Sequence, residues 1–444
     1  MRGETKSSII RRESYGRKAR IRSAFLIIGF MIRSSVSSAS ADPATASDAV
    51  VTEHGNDEKS AKAGNASAPQ PKPTQKGKGF SRFLKKNAVC VIAFFLALVT
   101  SFIVPPDKEY LGYFDFKTLA CLFSVSAAVS ALKNLHFFYF TAQAIVRRFG
   151  NARTCVIALV CVTFVGSMLI ANDMALITFL PLGYLALSSA HKEKYMPFTF
   201  IMQNIAANLG GMLTPFGNPQ NLYLYGKFNI PTGEFTLIML PPFLLSVCAI
   251  VLCCVIFVKK EPLSLSCEKP SLDKKRLCVY LALFALAIVM VFRIIPYYIG
   301  LAVIIAALFL LDKKALKNVD YALLFTFVFF FIFAGNTARI PVVRESISKI
   351  LAKNTLLVSV LSCQFISNVP STILLSEFTG DYKSLLLGVN IGGVGTLISS
   401  LASLITFREY TAHYPEKTKN YLALFSAFNF AFLIVLTVFC SFLV

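Results

Sequence analysis

From about residue 87 to its C-terminal Val444 the chain is a succession of apolar runs near bilayer-crossing length, and its charges fall almost entirely between them. The hydrocarbon interior offers no water to a free peptide group, so a spanning chain must be helical or close into a barrel. Runs of this length and apolarity select helices. The composition agrees, with 55% hydrophobic and 15% charged residues and a mean hydropathy of +0.64. The expected fold is an all-α polytopic membrane protein.

The runs lie at about 87–104, 114–132, 155–189, 196–225, 235–258, 277–294, 298–311, 321–334, 356–378, 384–407 and 421–444. The third is too long for one span and is interrupted by Asn172-Asp173. Basic residues flank it on both sides: Arg147, Arg148 and Arg153 before, Lys192 and Lys194 after. If both flanks stay on the positive side, the run enters and returns, as a re-entrant hairpin with its polar tip deep in the protein. A second tip, Ser367-Asn368-Val369-Pro370, sits in the matching place of the second half, where Pro370 removes a backbone donor and is expected to help break the helix.

A net charge of +21 is also the signature of a nucleic-acid partner. Here the excess lies in the N-terminal segment and in short loops such as Lys259-Lys260, Lys274-Lys275-Arg276 and Lys313-Lys314. That is the pattern of cytoplasmic loop retention, so no nucleic-acid partner is expected. Arg82, Lys85 and Lys86 set a cytoplasmic N-terminus, and counting spans leaves the C-terminus and the mouth of the second hairpin outside. Opposite entry sides predict an inverted-topology repeat: a first unit at 81–258, a cytoplasmic linker at 259–276 and a second unit at 277–444. Arg339, Arg344, Lys349 and Lys353 would then lie outside, carried by an interfacial helix with Ile340, Val343, Ile347 and Ile350 on its apolar side. Residues 1–80 are of another kind. A basic run leads into a short apolar stretch and Ala39-Ser40-Ala41, then a Ser-, Ala- and Pro-rich segment. A dispensable tail or overlong start, a cleaved targeting segment and a functional arm all fit.

Two polar breaks carry the chemistry. Asn208-Leu209-Gly210-Gly211-Met212-Leu213-Thr214 and Asn390-Ile391-Gly392-Gly393-Val394-Gly395-Thr396 repeat one pattern. A glycine pair alone permits close helix packing. The sequel Pro215-Phe216-Gly217-Asn218-Pro219-Gln220-Asn221 ends any continuous helix, and unwinding there frees backbone carbonyls for a cation and helix N-terminal amides for an anion. Two half-sites are expected near the midplane. The first combines Asn172, Asp173, Asn208, Gly210, Gly211, Thr214, Gly217 and Asn218; the second combines Ser367, Asn368, Asn390, Gly392, Gly393, Thr396 and Ser399, with Ser400 beside it. Sodium is a candidate at the Asn172 and Asn368 half-sites. Asp173 has two readings, a carboxylate facing a cavity, cation or proton path and a cap on the second hairpin arm. Glu377, His136 and Lys133 are expected near the membrane surface.

No cofactor is expected beyond a coupling sodium ion or proton. The eleven cysteines are scattered without a C-x-x-C pair, and no phosphate-binding loop or nucleophile constellation points to ATP use or to an enzyme. The expected partners are a small anionic substrate and the lipid bilayer. The function is secondary transport of a small anion such as a carboxylate or inorganic oxyanion, coupled to sodium or protons; arsenite-type efflux, sodium/proton antiport and an ion channel are the alternatives.

With Asn172-Asp173, the N-x-G-G-x-x-T-P-x-G-N-P-x-N run from Asn208 to Asn221, Ser367-Asn368-Val369-Pro370 and Asn390 to Thr396, the chain resembles the ion transporter superfamily, which includes divalent anion:sodium symporters, citrate transporters and arsenite permeases. In the symporters both tips read Ser-Asn-Thr and bind sodium and substrate carboxylate. Here they read Ala171-Asn172-Asp173 and Ser367-Asn368-Val369, nearer to arsenite permease-like and bacterial anion permease members. The resemblance implies a scaffold and a mobile transport domain, an elevator-like movement, a homodimer and a bacterial cytoplasmic membrane.

Overall fold

The computed structural model describes residues 87–146, 148–263 and 273–444. Segment 1–80, the charges of Arg82, Lys85, Lys86 and Arg147, and much of the 259–276 linker lie outside the described residues. Among the described residues every regular element is helical, apart from one isolated bridge between Asn151 and Pro262.

The chain begins with α1 (Ala88–Ile103), a short 3-10 turn (Lys108–Tyr113), α2 (Phe116–Asn134) and α3 (Phe137–Val146). A hairpin follows, α4 (Ala152–Ile170) and α5 (Asn172–Ser189). After it come α6 (Met196–Gly210), a single 3-10 turn at Gly211–Leu213, α7 (Pro219–Lys227) and α8 (Thr232–Phe257). The second part is α9 (Lys274–Val291), α10 (Tyr297–Leu311), α11 (Lys313–Lys317), α12 (Tyr321–Ala338) and α13 (Pro341–Lys353). Another hairpin, α14 (Thr355–Ile366) and α15 (Asn368–Leu375), precedes α16 (Tyr382–Ile391), α17 (Leu401–His413) and α18 (Thr418–Ser441).

The sparse acids and amides between the runs start helices. Asp115, Asn151, Asp320, Asn354 and Asp381 each accept a backbone N–H of the first turn of α2, α4, α12, α14 and α16. Each satisfies one of the donors that a helix start leaves open. The hairpin arms are unequal: α4 and α5 have 19 and 18 residues, α14 and α15 only 12 and 8. Pro370 corrects an expectation. It lies in the first turn of α15, where a missing N–H costs nothing, and the break falls at Ser367 instead.

From α2 to α8 and from α12 to α18 the same order runs twice: a long helix, a short surface helix, a hairpin, a broken helix and a closing long helix. The copies interlock. The arm α7 beyond the first break packs on α15 of the second hairpin, and α17 beyond the second break packs on α5 of the first. Outside them α1 packs on α12 and α10 on α2.

The side-chain contacts define two faces. The mouth of the first hairpin lies with the end of α8, where Lys192, Lys194 and the Tyr195 hydroxyl converge on Glu261. The mouth of the second lies with the loops after α1, α7 and α12, where Lys227 pairs with Glu377, Arg339 with Asp107, and Tyr382 with Glu234. The hairpins therefore open on opposite faces, as an inverted repeat requires. The amphipathic segment before the second hairpin is α13, turned by 118° from α14, with Val343 and Leu351 buried and Val342 and Ile350 exposed.

Candidate functional site

Both hairpin tips turn on a residue that is not glycine yet has positive φ. Ala171 has φ 60 and ψ 152, and Ser367 has φ 74 and ψ 158. Such a conformation is costly outside glycine and is held only where the surroundings over-determine it. In each tip the following asparagine folds its Oδ1 onto the next amide, Asn172 accepting from Asp173 N at 3.0 Å and Asn368 from Val369 N at 2.9 Å. The second tip is also tied to the second break: Asn368 N donates to Ser399 O at 2.9 Å, and Ser367 Oγ donates to the same carbonyl at 3.3 Å.

The breaks are pinned in matching ways. Thr214 Oγ1 donates to Met168 O at 2.9 Å and Thr396 Oγ1 to Gln364 O at 3.0 Å, each four residues before a tip asparagine. Seven backbone carbonyls of the breaks, expected to be open to a cation, are instead taken by side chains. Asn221 Nδ2 reaches Gly211 O, Met212 O and Thr214 O. In the second half Gln364 Nε2 serves Gly392 O and Val394 O while its Oε1 accepts from Thr396 N, and Ser399 Oγ donates to Gly393 O and Thr396 O. A buried peptide group without a partner is costly, so an unwound segment in a dry interior recruits amides to serve it.

The glycines mark close approaches. A Cβ at Gly210 would lie 2.2 Å from Phe164 O, and one at Gly217 would lie 2.4 Å from Gly211 O. Gly392 packs on Cys363, and Gly211 on the carboxamide of Asn218.

The two halves meet through asparagines. Asn218 Nδ2 donates to Asn390 Oδ1 at 3.4 Å, and Asn390 Nδ2 donates to Asn221 Oδ1 at 2.6 Å. Asn172 Nδ2 donates to Asn208 Oδ1 at 3.2 Å. A Cβ at Gly393 would have Asn368 Nδ2 at 3.1 Å and Asn208 Oδ1 at 3.5 Å, so this glycine faces the second tip directly and the first tip through Asn208, which Asn172 holds. Asn172, Asn208, Asn218, Asn368 and Asn390 are at most 5% exposed. The structure thus brings the five predicted asparagines into one buried cluster, with Thr214, Thr396 and Ser399 serving as straps on its rim.

Asp173 does not cap α5: no side-chain capping bond forms there, and its Oδ1 is buried without a partner. Glu377 is bound to Lys227 on the face of the second hairpin. Lys133 and His136 line a small pocket with Ile177, Thr178 and Pro181 of α5. A larger cleft of about 510 Å³ opens beside Tyr113, Tyr223, Lys227, Arg339 and Glu377. Among the described residues no three His, Cys, Asp or Glu side chains form a metal cluster, so a cation here would rely on amide, hydroxyl and Asp173 oxygens.

Sequence reasoning missed three amides, and placed a fourth, Asn221, in the first break without giving it a role. Asn204 donates to Asn429 Oδ1 of α18 at 3.2 Å and carries the Asn172–Asn208 chain onward, while Asn221 and Gln364 hold the breaks. The available signal was an amide inside an apolar span: Asn204 one turn before Asn208, Gln364 one turn before Asn368, and Asn429 midway along α18.

Comparison with known proteins places this architecture. Residues 80–379 match the family described as Citrate transporter, a stretch that holds both tips and the first break. The chain is 33% identical over 321 residues to "Uncharacterized transporter MJ0456" of Methanocaldococcus jannaschii, covering 70% of this chain and 86% of that one. It is 26% identical over 338 residues to "Inner membrane protein YbiR" of Escherichia coli, covering 74% and 89%. Among solved structures the YdaH transporter of Alcanivorax borkumensis, described as having an unusual topology, superposes with a TM-score of 0.51 over 80% of this chain and 97% of that one; at 12% identity the likeness shows the fold alone. Duplicated hairpins and broken helices that close on a buried polar centre are what transport across a membrane demands of a helical fold. The protein is a non-enzymatic integral membrane transporter, and the chain belongs to the citrate transporter family.

Proposed function

We propose that the protein is a secondary active transporter that carries a small anion, a carboxylate or an inorganic oxyanion, coupled to sodium or protons. The observation that supports this most is the meeting of the two halves at Gly393, which faces Asn368 of the second tip and Asn208 of the first broken helix, itself bonded to Asn172 of the first tip. Half-helix N-termini favour anions, and amide oxygens can complete a cation shell. The family description adds citrate as the first carboxylate to try. In this reading the interlocked hairpins and broken helices form the moving body, α1, α2, α10 and α12 the scaffold, and the assembly is a homodimer in a bacterial cytoplasmic membrane with its N-terminus inside and C-terminus outside.

Reconstitution into liposomes, with a panel of labelled anions under imposed sodium and proton gradients, tests the reading. Saturable, gradient-driven uptake of one anion is the expected result; uptake that neither saturates nor follows a gradient would turn the assignment toward a channel. The buried, unpartnered Asp173 oxygen favours a second reading, arsenite-type efflux or sodium/proton exchange. Proton or sodium counterflow with no anion moved would select it.

A further inference from the structure

The orientation of each asparagine in the cluster follows from the backbone. A peptide N–H only donates and a peptide carbonyl only accepts, so an amide bonded to either has its two ends assigned. Asn172 and Asn368 must turn their oxygens to Asp173 N and Val369 N. Asn208 and Asn390 must turn their amino groups to Asn204 O and Leu386 O, one turn back in their own helices. Asn390 Oδ1 therefore faces Asn218, which answers with its amino group and leaves its own Oδ1 buried without a partner. Asn172, Asn208, Asn368 and Asn390 cannot be turned over without losing a backbone bond, and Asn218 is oriented through Asn390.

What remains unpaired differs between the halves. In the first, the amino group of Asn172 is taken up by Asn208, and the unpartnered atoms are oxygens, Asn218 Oδ1 and Asp173 Oδ1. In the second, Asn368 is 4% exposed and its side-chain bonds fall on Oδ1, so among the described residues Nδ2, which faces Gly393, has no partner. The helix starts differ in the same sense. α5 carries Asp173 in its first turn, which offsets the positive N-terminal end, whereas α15 carries Val369 at the matching place and leaves its end uncompensated.

We propose that the halves divide the cargo by charge: the first receives the coupling cation on Asn208, Asn218 and Asp173 oxygens, and the second receives the anion on the Asn368 amino group and the N-terminal end of α15. This rests on the reading of the protein as an ion-coupled anion transporter. The Asn208 oxygen and the Asn368 amino group both lie within 3.5 Å of where a Cβ at Gly393 would sit, so the two ions bind side by side and each favours the other by charge.

The full-length protein in detergent is titrated by thermal shift, first with sodium chloride against choline chloride, then with choline citrate at saturating sodium. Asn368→Asp keeps the oxygen that serves Val369 N and replaces the free amino group by an anionic oxygen. It is expected to raise half-saturating citrate at least about tenfold, the worth of one charge-assisted hydrogen bond, with sodium within about twofold. Asn368→Ser, which keeps a donor, holds citrate within about threefold. Asn218→Leu removes the unpartnered oxygen and is expected to raise half-saturating sodium by about tenfold with little change in citrate. The melting temperature of each variant without ligand reports its folding. The opposite pattern, or equal losses for both ions in both variants, overturns the division alone. A wild-type protein that responds to neither probe overturns sodium-coupled citrate transport, the form of the reading on which this division rests.

Discussion

The two halves pose the same backbone problem and solve it with different residues. In the first, one side chain downstream of the break, Asn221, collects three carbonyls. In the second, Gln364 reaches forward from the hairpin and Ser399 reaches back, and the positions matching them in the first half are Met168 and Gly217. The geometry of tip and break is shared and the donors that sustain it are not. A duplicated fold thus preserves what the backbone needs, and leaves each half free to present a different polarity to a ligand.

The largest test of the comparison is at the tips. Asn172→Ala and Asn368→Ala are each expected to reduce transport by about a hundredfold or more while membrane insertion is kept and stability falls by about 1–3 kcal/mol for the lost amide partner; unchanged uptake kinetics in either would remove that half from the site. Next come the glycines. Gly210→Ala drives a methyl into the Phe164 carbonyl and is expected to cost about 3 kcal/mol, whereas Gly392→Ala meets Cys363 and the Gly388 carbonyl less closely, at 2.8 Å, and costs about 2 kcal/mol; equal costs in unfolding would mean that the halves pack alike.

Gln364→Met imposes the first half's residue on the second and leaves two carbonyls and Thr396 N without a partner, for a loss of about 1–3 kcal/mol. Met168→Leu, which keeps the carbonyl that Thr214 uses, should stay below about 1.5 kcal/mol. A reversed order in melting temperature would show that Gln364 is not what holds the second break.

The smallest effects lie on the faces. Lys192, Lys194 and Tyr195 hydrogen-bond to Glu261 and hold its carboxyl well below the ordinary 4.5, at about 2. A depressed carboxylate contributes stability above its unfolded pKa and loses it as pH falls through the folded one. The tie at the first hairpin's mouth should therefore weaken between about pH 4.5 and 2, and Glu261→Gln should flatten that limb of the melting profile. On the opposite face Lys227→Ala should cost under about 1 kcal/mol and do so mostly at low salt, since its pair with Glu377 is partly exposed.

Much of this was legible. The 155–189 run with its central Asn-Asp and basic flanks required a hairpin, and the Pro-Gly-Asn-Pro sequel required a broken helix, because neither pattern admits a continuous span. Pro370 misled: by residue type it breaks a helix, yet in a first turn it only starts one, and which turn it occupies is set by the strained Ser367 beside it. The open carbonyls also misled. Whether an unwound carbonyl waits for a cation or is already served depends on amides from other turns, such as Asn221 and Gln364, and no spacing rule reports that.

Residue types and their spacing suffice for the class, the two hairpins and the two breaks, because each follows from the cost of placing polar backbone or charge in hydrocarbon. Which asparagines meet, which way each amide is turned and which atoms stay unpaired are settled by contacts across the fold. Those are properties of partners far apart in the chain, Asn204 with Asn429 and Asn218 with Asn390, and hydrogen-bond direction exists only once both ends are in place.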